Sequence, residues 1–152
     1  MKKIVFAFII ALIIVQCQPK NQSSMPSNST SKNENTSSQA VSVHRVWKLV
    51  SYTNFDAEKI KLADATLDLT DTKSGTAKMG CNTLNFDYTV DGSNKIKFGA
   101  VLATRMACLD MELENSFSKN CSTFTSYTVE NHKLNLKNTA NQEMVFVAED
   151  WD

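Results

Sequence analysis

Met79-Gly80-Cys81-Asn82 and Thr104-Arg105-Met106-Ala107-Cys108 are the two stretches on which the fold of this chain depends. Each places a thiol where the surrounding pattern predicts strands. A glycine inside a strand-like run marks a bulge or a close approach of two backbones, and Asn82 can bond to local backbone groups or adopt a left-handed conformation at low cost. We therefore expect the first stretch to be a kinked strand end that meets the second stretch in space.

The composition suits one globular domain with additional segments at the N-terminus. The chain has 152 residues, of which 42% are hydrophobic and 21% are charged, and its formal net charge is zero. From Val41 onward its lysines and arginines are scattered singly, so the domain lacks the basic stripe that would release counterions from a nucleic-acid backbone. Nucleic acid is therefore not expected as a partner.

Residues 1–16 have the pattern of a secretory signal peptide. Lys2 and Lys3 precede an unbroken apolar run from Ile4 to Val15, which matches a charged n-region followed by an h-region. A membrane-spanning helix needs about 20 apolar residues. The shorter run therefore predicts export rather than a permanent transmembrane anchor.

The cysteine that follows this run resembles the lipid-attachment residue of bacterial lipoproteins. The resemblance implies diacylglycerol on the thiol of Cys17, cleavage before that residue, and a fatty acyl chain such as palmitate on its amine. It also implies membrane attachment in a bacterial cell envelope, at the outer membrane or the periplasmic face. Gln16 stands where lipoproteins usually have a small residue, so an ordinary secreted protein and an uncleaved short anchor are the alternatives.

Residues 17–40 are predicted to form a disordered tether between the lipid and the domain. This segment is rich in serine and asparagine and holds both prolines of the chain, Pro19 and Pro26. Such a composition buries too little apolar surface to offset the entropy lost on ordering. The folded domain is expected to comprise residues 41–152.

Within the domain, alternating apolar and polar residues predict a series of short strands. They fall at residues 43–50, 65–70, 84–90, 96–98, 123–129, 133–137 and 144–148. The first of these strands carries apolar groups on both faces and is expected to be covered on both sides. Residues 54–61 have no clear period and are expected to form a loop or short turn, and residues 71–75 have turn chemistry.

After Cys108 the hydrophobic period changes from two to nearly four, which predicts one helix of about eleven residues with Asp110 as a cap. Its apolar stripe consists of Leu109, Leu113, Phe117 and Cys121. Seven or eight strands with one packed helix predict an α+β, mostly antiparallel fold. The expected form is a twisted sheet or a partly open barrel.

An ordered series of residues along the domain resembles the META domain, the HslJ-like heat-shock protein group. The series consists of Trp47, Leu49, Gly80, Cys81, Asn82, Tyr88, Thr104, Met106, Ala107, Cys108, Glu114, Phe117, Tyr127, Leu134, Leu136 and Phe146. The resemblance implies a compact β domain with one helix, often carried by an exported lipoprotein, in stress-related contexts and without an established enzymatic activity. Members usually have Gly-x-Tyr where this chain has Phe86-Asp87-Tyr88.

Three cysteines lie in the domain, an odd number for an oxidising compartment. Our hypothesis is a disulfide between Cys81 and Cys108, with two buried or facing thiols as the alternative. Such a bridge closes a loop of about 28 residues and stabilises the domain by about 3 kcal/mol on the chain-entropy model. Cys121, on the helix stripe, is interpreted as a small core residue.

The sequence does not predict a metal site, a cofactor or an enzyme. It has neither Cys-x-x-Cys nor His-x-x-x-His, and its two histidines, His44 and His132, are far apart. Gly-x-Ser-x-Gly is missing, and no histidine is placed to activate a nucleophile. Glu112 and Glu114, two apart on the predicted helix, point in different directions and do not suit an acid–base pair.

Two functional classes therefore stay open for a monomeric domain. In the first, the domain binds an envelope protein or a misfolding client through an exposed sheet edge or apolar patch. In the second, it carries a lipid or small apolar ligand in the mouth of the barrel. The aromatic residues that could line either a packed core or such a cavity are Phe86, Tyr88, Phe98, Phe124, Tyr127 and Phe146.

Overall fold

A computed structural model describes residues 42–151 of the chain. The predicted signal peptide, the tether and Cys17 lie outside the described residues. In chain order the elements are β1 (Val46–Tyr52), α1 (Ala57–Ala63), β2 (Thr66–Asp68), β3 (Ser74–Lys78), β4 (Thr83–Val90), β5 (Ile96–Phe98), β6 (Leu102–Ala103), α2 (Glu112–Asn120), a short 3-10 turn (Cys121–Thr123), β7 (Phe124–Glu130), β8 (Lys133–Asn138) and β9 (Glu143–Ala148).

The strands of residues 42–151 belong to one antiparallel sheet that curls into a nearly closed barrel. The strand order is β5-β4-β3-β2-β1-β9-β8-β7, and β6 pairs with β4 beside β5. The two ends of the sheet meet at a bridge between Lys95 and Ser126, where the Tyr127 N–H donates to the Asn94 carbonyl over 3.0 Å. The predicted mostly antiparallel fold with a partly open barrel and a main packed helix is confirmed.

A hydrophobic core fills the barrel. Successive side chains on a strand face opposite sides, and on β4 the inward set is Leu84, Phe86 and Tyr88. Helix α2 packs against this core, and the ring centroid of Phe117 lies 6.1 Å from that of Phe86. Of the aromatic residues predicted to line a core or a cavity, Tyr127 is half-buried and the others are buried in the core.

Strand β1 is covered on one face, whereas the sequence predicted cover on both. Trp47 and Leu49 are buried, but Val50 is 43% exposed, because the outward face of a barrel strand meets solvent. The register with β9 shifts between Leu49 and Ser51. This bulge turns Tyr52 inward, and a simple alternation from Trp47 would have placed it outside.

The short helix α1 occupies part of the segment that was expected to be a loop or turn. The Asp56 side chain caps it by accepting a hydrogen bond from the Glu58 N–H over 2.8 Å, and Asp64 ends it in a left-handed conformation at φ 45°. Ile60 is the one residue of this helix that is buried. A helix that buries a single side chain shows no period of 3.6, so the sequence pattern did not indicate it.

Helix α2 is shorter than predicted and begins after Leu109. Its first residue is Glu112, and Met111 rather than Asp110 occupies the N-cap position, although the Asp110 carboxylate still accepts from the Glu112 N–H over 3.1 Å. Leu109 is fully exposed and does not belong to the buried stripe. Leu109 therefore fits the apolar spacing of the helix but lies before its first residue.

Candidate functional site

The chain between β3 and β4 meets the chain between β6 and α2, as the sequence predicted. Cys81 and Cys108 form a disulfide, with their Cα atoms 6.2 Å apart. The hypothesis of a bridge between these two residues is confirmed, and the alternative of two free thiols is wrong. The disulfide joins the loop between β3 and β4 to the segment between β6 and α2.

Asn82 is the central residue of the hydrogen-bond network behind this disulfide, and it is only 2% exposed. Its Oδ1 atom accepts from the Thr104 hydroxyl over 2.7 Å and from the Met106 N–H over 2.8 Å. Its Nδ2 atom donates to the Met106 carbonyl over 3.2 Å and to the Glu114 carboxylate over 2.8 Å. An asparagine amide offers two donor hydrogens and two acceptor lone pairs, and these four hydrogen bonds use all of them.

Glu114 joins helix α2 to the same network. Its side chain is only 3% exposed, and a carboxylate is costly to bury unless it has hydrogen-bond partners. Besides the Asn82 side chain, its Oε2 atom accepts from the Asn82 N–H over 2.7 Å and from the Cys81 N–H over 3.2 Å. Charge-assisted hydrogen bonds of this kind are stronger than neutral ones. We therefore assign Glu114 the role of holding the loop at Cys81 and Asn82 against α2, because both of its carboxylate oxygens accept hydrogen bonds from that loop.

Most of the other motif residues serve the backbone conformation or the core. Gly80 has φ of 143°, a conformation that side-chain-bearing residues rarely adopt, and this explains the glycine before Cys81. Trp47 is buried in the core and its indole N–H donates to the Val43 carbonyl over 2.8 Å. Phe117 lies in the core, whereas Ala107 is exposed beside Cys108.

Tyr88 forms a second polar cluster at the other end of β4. Its hydroxyl lies 2.8 Å from the Leu69 carbonyl, 2.7 Å from the Asp71 carbonyl and 2.7 Å from Nδ1 of His44. Burial raises the pKa of Tyr88 to about 12, and the negative charges of Asp71 and Asp68 add to the effect. The hydroxyl therefore stays protonated and ties the N-terminal end of the domain to the turn before β3.

A groove of about 350 Å³ lies beside the disulfide, between α1 and the start of α2. Leu62 and Ala63 of α1 line one side, Cys81 and Cys108 line another, and Met79, Leu113 and Gly80 complete the apolar lining. Leu62 is 85% exposed, an unusual position for a large apolar side chain. The sequence did not indicate this groove, because it did not predict α1.

Charged side chains rim the groove on one side. The Lys59 ammonium lies 3.3 Å from the Asp110 carboxylate and also bonds to the Glu112 carboxylate. The hydrogen bond to Glu112 raises the pKa of Lys59, and the Glu112 N–H together with Lys59 lowers the pKa of Asp110. This ion pair network connects α1 to the first turn of α2.

Cys121 is the free cysteine among the described residues, and it is buried at the end of α2. Burial raises the pKa of its thiol to about 12. Because the thiolate is the reactive form, this thiol is inert in the folded domain. The interpretation of Cys121 as a core residue fits its position.

The described residues do not bring metal-ligating side chains together. In residues 42–151, no three side chains among His, Cys, Asp and Glu form a group that could hold a metal ion. His44 contacts Tyr88, and His132 stacks on Trp151 with ring centroids 3.4 Å apart. Neither α1 nor α2 is long and apolar enough to cross a membrane.

The fold and the site define a small antiparallel barrel domain in which a disulfide and a buried Asn–Glu network fasten one helix to two loops. The family model for the META domain matches residues 39–151. The chain therefore belongs to the META domain family, as its sequence motifs suggested. No curated protein matches the chain.

Solved structures share the fold at low sequence identity. The solution structure of a protein from Burkholderia xenovorans is 20% identical, with a TM-score of 0.58, and the match covers 70% of this chain and 83% of that one. The crystal structure of a DUF4847 family protein from Bacteroides vulgatus is 14% identical, with a TM-score of 0.50, over 72% of this chain and 95% of that one. At these identities the likeness concerns the fold alone.

Proposed function

We propose that this META domain protein is anchored by lipid in the bacterial cell envelope and acts there by binding a protein partner under stress, without catalysing a reaction. The anchor rests on Cys17, which directly follows a signal-like apolar run. The stress-related role rests on the family to which the chain belongs. The binding role rests on the surface beside the disulfide.

The observation that carries the binding role is the exposure of apolar side chains around one corner of the domain. Leu62 lines the groove, Met106 and Leu109 flank Cys108, and all three side chains are more than half exposed. Single exposed apolar side chains are common on soluble domains, whereas several that lie together mark interaction sites. We assign this corner to the partner.

The absence of catalysis is supported by how the buried polar groups are used. Within residues 42–151, every buried side-chain nitrogen and oxygen has a hydrogen-bond partner. Glu114, the buried carboxylate at the site, bonds to the chain itself. These groups serve the fold and leave little capacity for acid–base work on a substrate.

The alternative role, a carrier of a lipid or small apolar ligand, needs space inside the barrel. The aromatic side chains that could line such a space are packed in the core instead, which favours binding at the outer surface. Native mass spectrometry of protein purified from its membrane tests the choice. We expect the mass of the acylated monomer alone, and a retained lipid of stoichiometric amount would favour the carrier.

The anchor is tested by labelling cells with a fatty acid and separating membranes from soluble protein. We expect Cys17→Ala to lose both the label and membrane association. Cys121→Ala is the matched control, because it removes another cysteine and should leave both unchanged. Membrane association of Cys17→Ala at the wild-type level would contradict the lipid anchor.

The stress-related binding role is tested by complementation of a deletion strain grown at elevated temperature. We expect the wild-type gene to restore growth and a double variant, Leu62→Gln with Leu109→Gln, to fail at equal protein level. Leu102→Gln is the control, because Leu102 is also exposed but neither lines the groove nor flanks Cys108. Full rescue by the double variant would show that this surface is not needed for the function.

A further inference from the structure

We propose that the Cys81–Cys108 disulfide is an exchange site for a partner protein with an active-site dithiol, which docks in the groove beside it. This inference rests on the proposed binding role and names the chemistry of the partner. The groove alone does not identify an occupant. The disulfide in its wall does, because a cysteine thiol of a partner protein can react with it by exchange.

The two cysteines of the bridge differ in exposure, and we use this difference to assign which sulfur is attacked. Cys108 is exposed, in a segment where every residue from 102 to 110 is exposed, whereas Cys81 is partly buried beside Asn82. Exchange requires a thiolate to reach a sulfur of the disulfide. We therefore assign the attack to the sulfur of Cys108, with Cys81 as the leaving thiol.

The groove favours a protein thiol over a small one. Its lining is mostly apolar, with Leu62, Met79 and Leu113 beside the two cysteines. A partner that presents apolar residues around its cysteine buries this surface as it reaches the disulfide, and apolar burial favours association. A small dithiol reaches the same sulfur without this contribution.

The domain is built to keep its fold when the bridge opens. Asn82 holds the second loop through the Thr104 hydroxyl and the Met106 backbone, and it holds α2 through Glu114. These bonds are independent of the sulfurs. The reduced cysteines therefore stay close together, and the reverse exchange with a partner disulfide, which is reduced to a dithiol, can close the bridge again without a search through unfolded conformations.

The reaction balances as a two-electron exchange. The partner thiolate attacks the sulfur of Cys108, the Cys81–Cys108 bond breaks, and the Cys81 thiolate takes a proton from water. The second partner thiol, after losing its proton, attacks the mixed disulfide and releases the Cys108 thiol. The partner dithiol is oxidised to a disulfide, and this domain is reduced to two thiols.

The test measures the rate at which purified full-length protein in detergent is reduced, with reduced thioredoxin as the dithiol protein and dithiothreitol as the small dithiol. Alkylation and mass spectrometry follow Cys81 and Cys108. We expect Leu62→Gln to slow reduction by thioredoxin about fivefold, because it removes apolar surface from the docking site. The rate with dithiothreitol should change less than about twofold, because the disulfide itself is untouched.

Leu102→Gln is the matched control, since it removes another exposed leucine that does not line the groove, and it should react with thioredoxin at the wild-type rate. A thioredoxin variant that lacks its second active-site cysteine should form a mixed disulfide at Cys108 rather than at Cys81. Equal slowing with both reductants, or trapping at Cys81, would overturn the docking model. Reduction only after the barrel unfolds would overturn the exchange site itself.

These results are independent of the anchor and stress experiments. A failed exchange reaction leaves lipid attachment and partner binding standing, because those experiments measure acylation, membrane association and growth rather than the reduction of purified protein. Conversely, rescue by the double variant at Leu62 and Leu109 would remove the binding role, while exchange by purified protein could still be measured. The two failures are therefore distinguishable.

Discussion

Two glutamates of helix α2, Glu112 and Glu114, show how position decides what a carboxylate does. They are two residues apart, and the sequence treats both as favourable charges near the start of a helix. In the fold, Glu112 is exposed and pairs with Lys59, whereas Glu114 is buried and accepts three N–H groups. Only Glu114 joins α2 to the loop that carries Cys81.

We predict that Glu114→Gln lowers the free energy of unfolding by about 2 kcal/mol. The new amide group would face the Nδ2 donor of Asn82, so two buried donors would meet without an acceptor, and unsatisfied buried groups cost about 1–3 kcal/mol. Urea denaturation measures the change. Glu112→Gln is the matched control and should lose less than about 1 kcal/mol, as is usual for an exposed ion pair. Equal losses of free energy in the two variants would show that the Asn82–Glu114 network does not stabilise the fold more than the exposed ion pair does.

Tyr88 gives the domain a sensitivity to alkaline pH. Its pKa in the fold is about 12, above its ordinary value of 10.0, so the folded state favours the protonated form. A group whose pKa is raised on folding stabilises the fold below its ordinary pKa, and the contribution is lost as pH rises through the higher value. The window for this loss is therefore between pH 10 and about 12.

We predict that Tyr88→Phe lowers the free energy of unfolding at pH 8 by about 1–2 kcal/mol, because the carbonyls of Leu69 and Asp71 lose a donor. The gap between the variant and the wild type should narrow at pH 11. Urea denaturation at both values measures it. Tyr127→Phe is the control, since Tyr127 is only half-buried, and it should lower the free energy of unfolding at pH 8 by less than Tyr88→Phe does.

The β3–β4 pair shows how one element accommodates the other. Gly75 lies within β3, although the sequence placed it in a turn, and it pairs directly with Phe86. The Phe86 position is the one at which META domains usually have glycine. A Cβ atom on Gly75 would meet the Phe86 ring at 2.5 Å and Leu69 at 3.0 Å, so the ring occupies the space that this glycine leaves.

We predict that Gly75→Ala lowers the free energy of unfolding by about 1–3 kcal/mol, because extra volume in a packed core forces side chains or backbone to shift. Gly92→Ala is the matched control, since a Cβ there meets nothing within 4 Å. Chemical denaturation of both variants measures the difference. A Gly75→Ala variant as stable as Gly92→Ala would mean that Phe86 can rotate away without loss.

The whole domain is held by two systems, a barrel core and a cross-linked corner. The core runs through every large strand, and the corner joins α2 to the loops at Cys81 and Cys108 through both the disulfide and the Asn82 network. Helix α2 belongs to both, since Leu113 and Phe117 pack in the core while Glu114 bonds to Asn82.

We predict that a double variant, Cys81→Ser with Cys108→Ser, keeps the far-ultraviolet circular dichroism of the native protein and loses about 3 kcal/mol in free energy of unfolding. The disulfide spans 27 residues of sequence, and its loss mainly frees the unfolded chain. Wild-type protein treated with reductant should match the double variant. A double variant that is unfolded at room temperature would show that the barrel depends on the bridge.

Much of this fold follows from local sequence rules. Alternation predicted the longer strands because each buries one face of its residues, as in β4, β8 and β9. The pairing of Cys81 with Cys108 and the place of Glu114 and Phe117 on one helix were predicted from motif residues. Membership of the META domain family was recognisable because the motif residues occur in order along the domain.

The remaining features depend on contacts between segments that are distant in sequence. Helix α1 was missed because it buries only Ile60, the groove follows from α1, and Leu109 lies outside the helix although its spacing suits it. The burial of Glu114 and the inward turn of Tyr52 depend on partners that local patterns do not show. Periodicity records which residues of one segment are buried together. It does not record which other segment covers them, and that is settled only when the barrel closes.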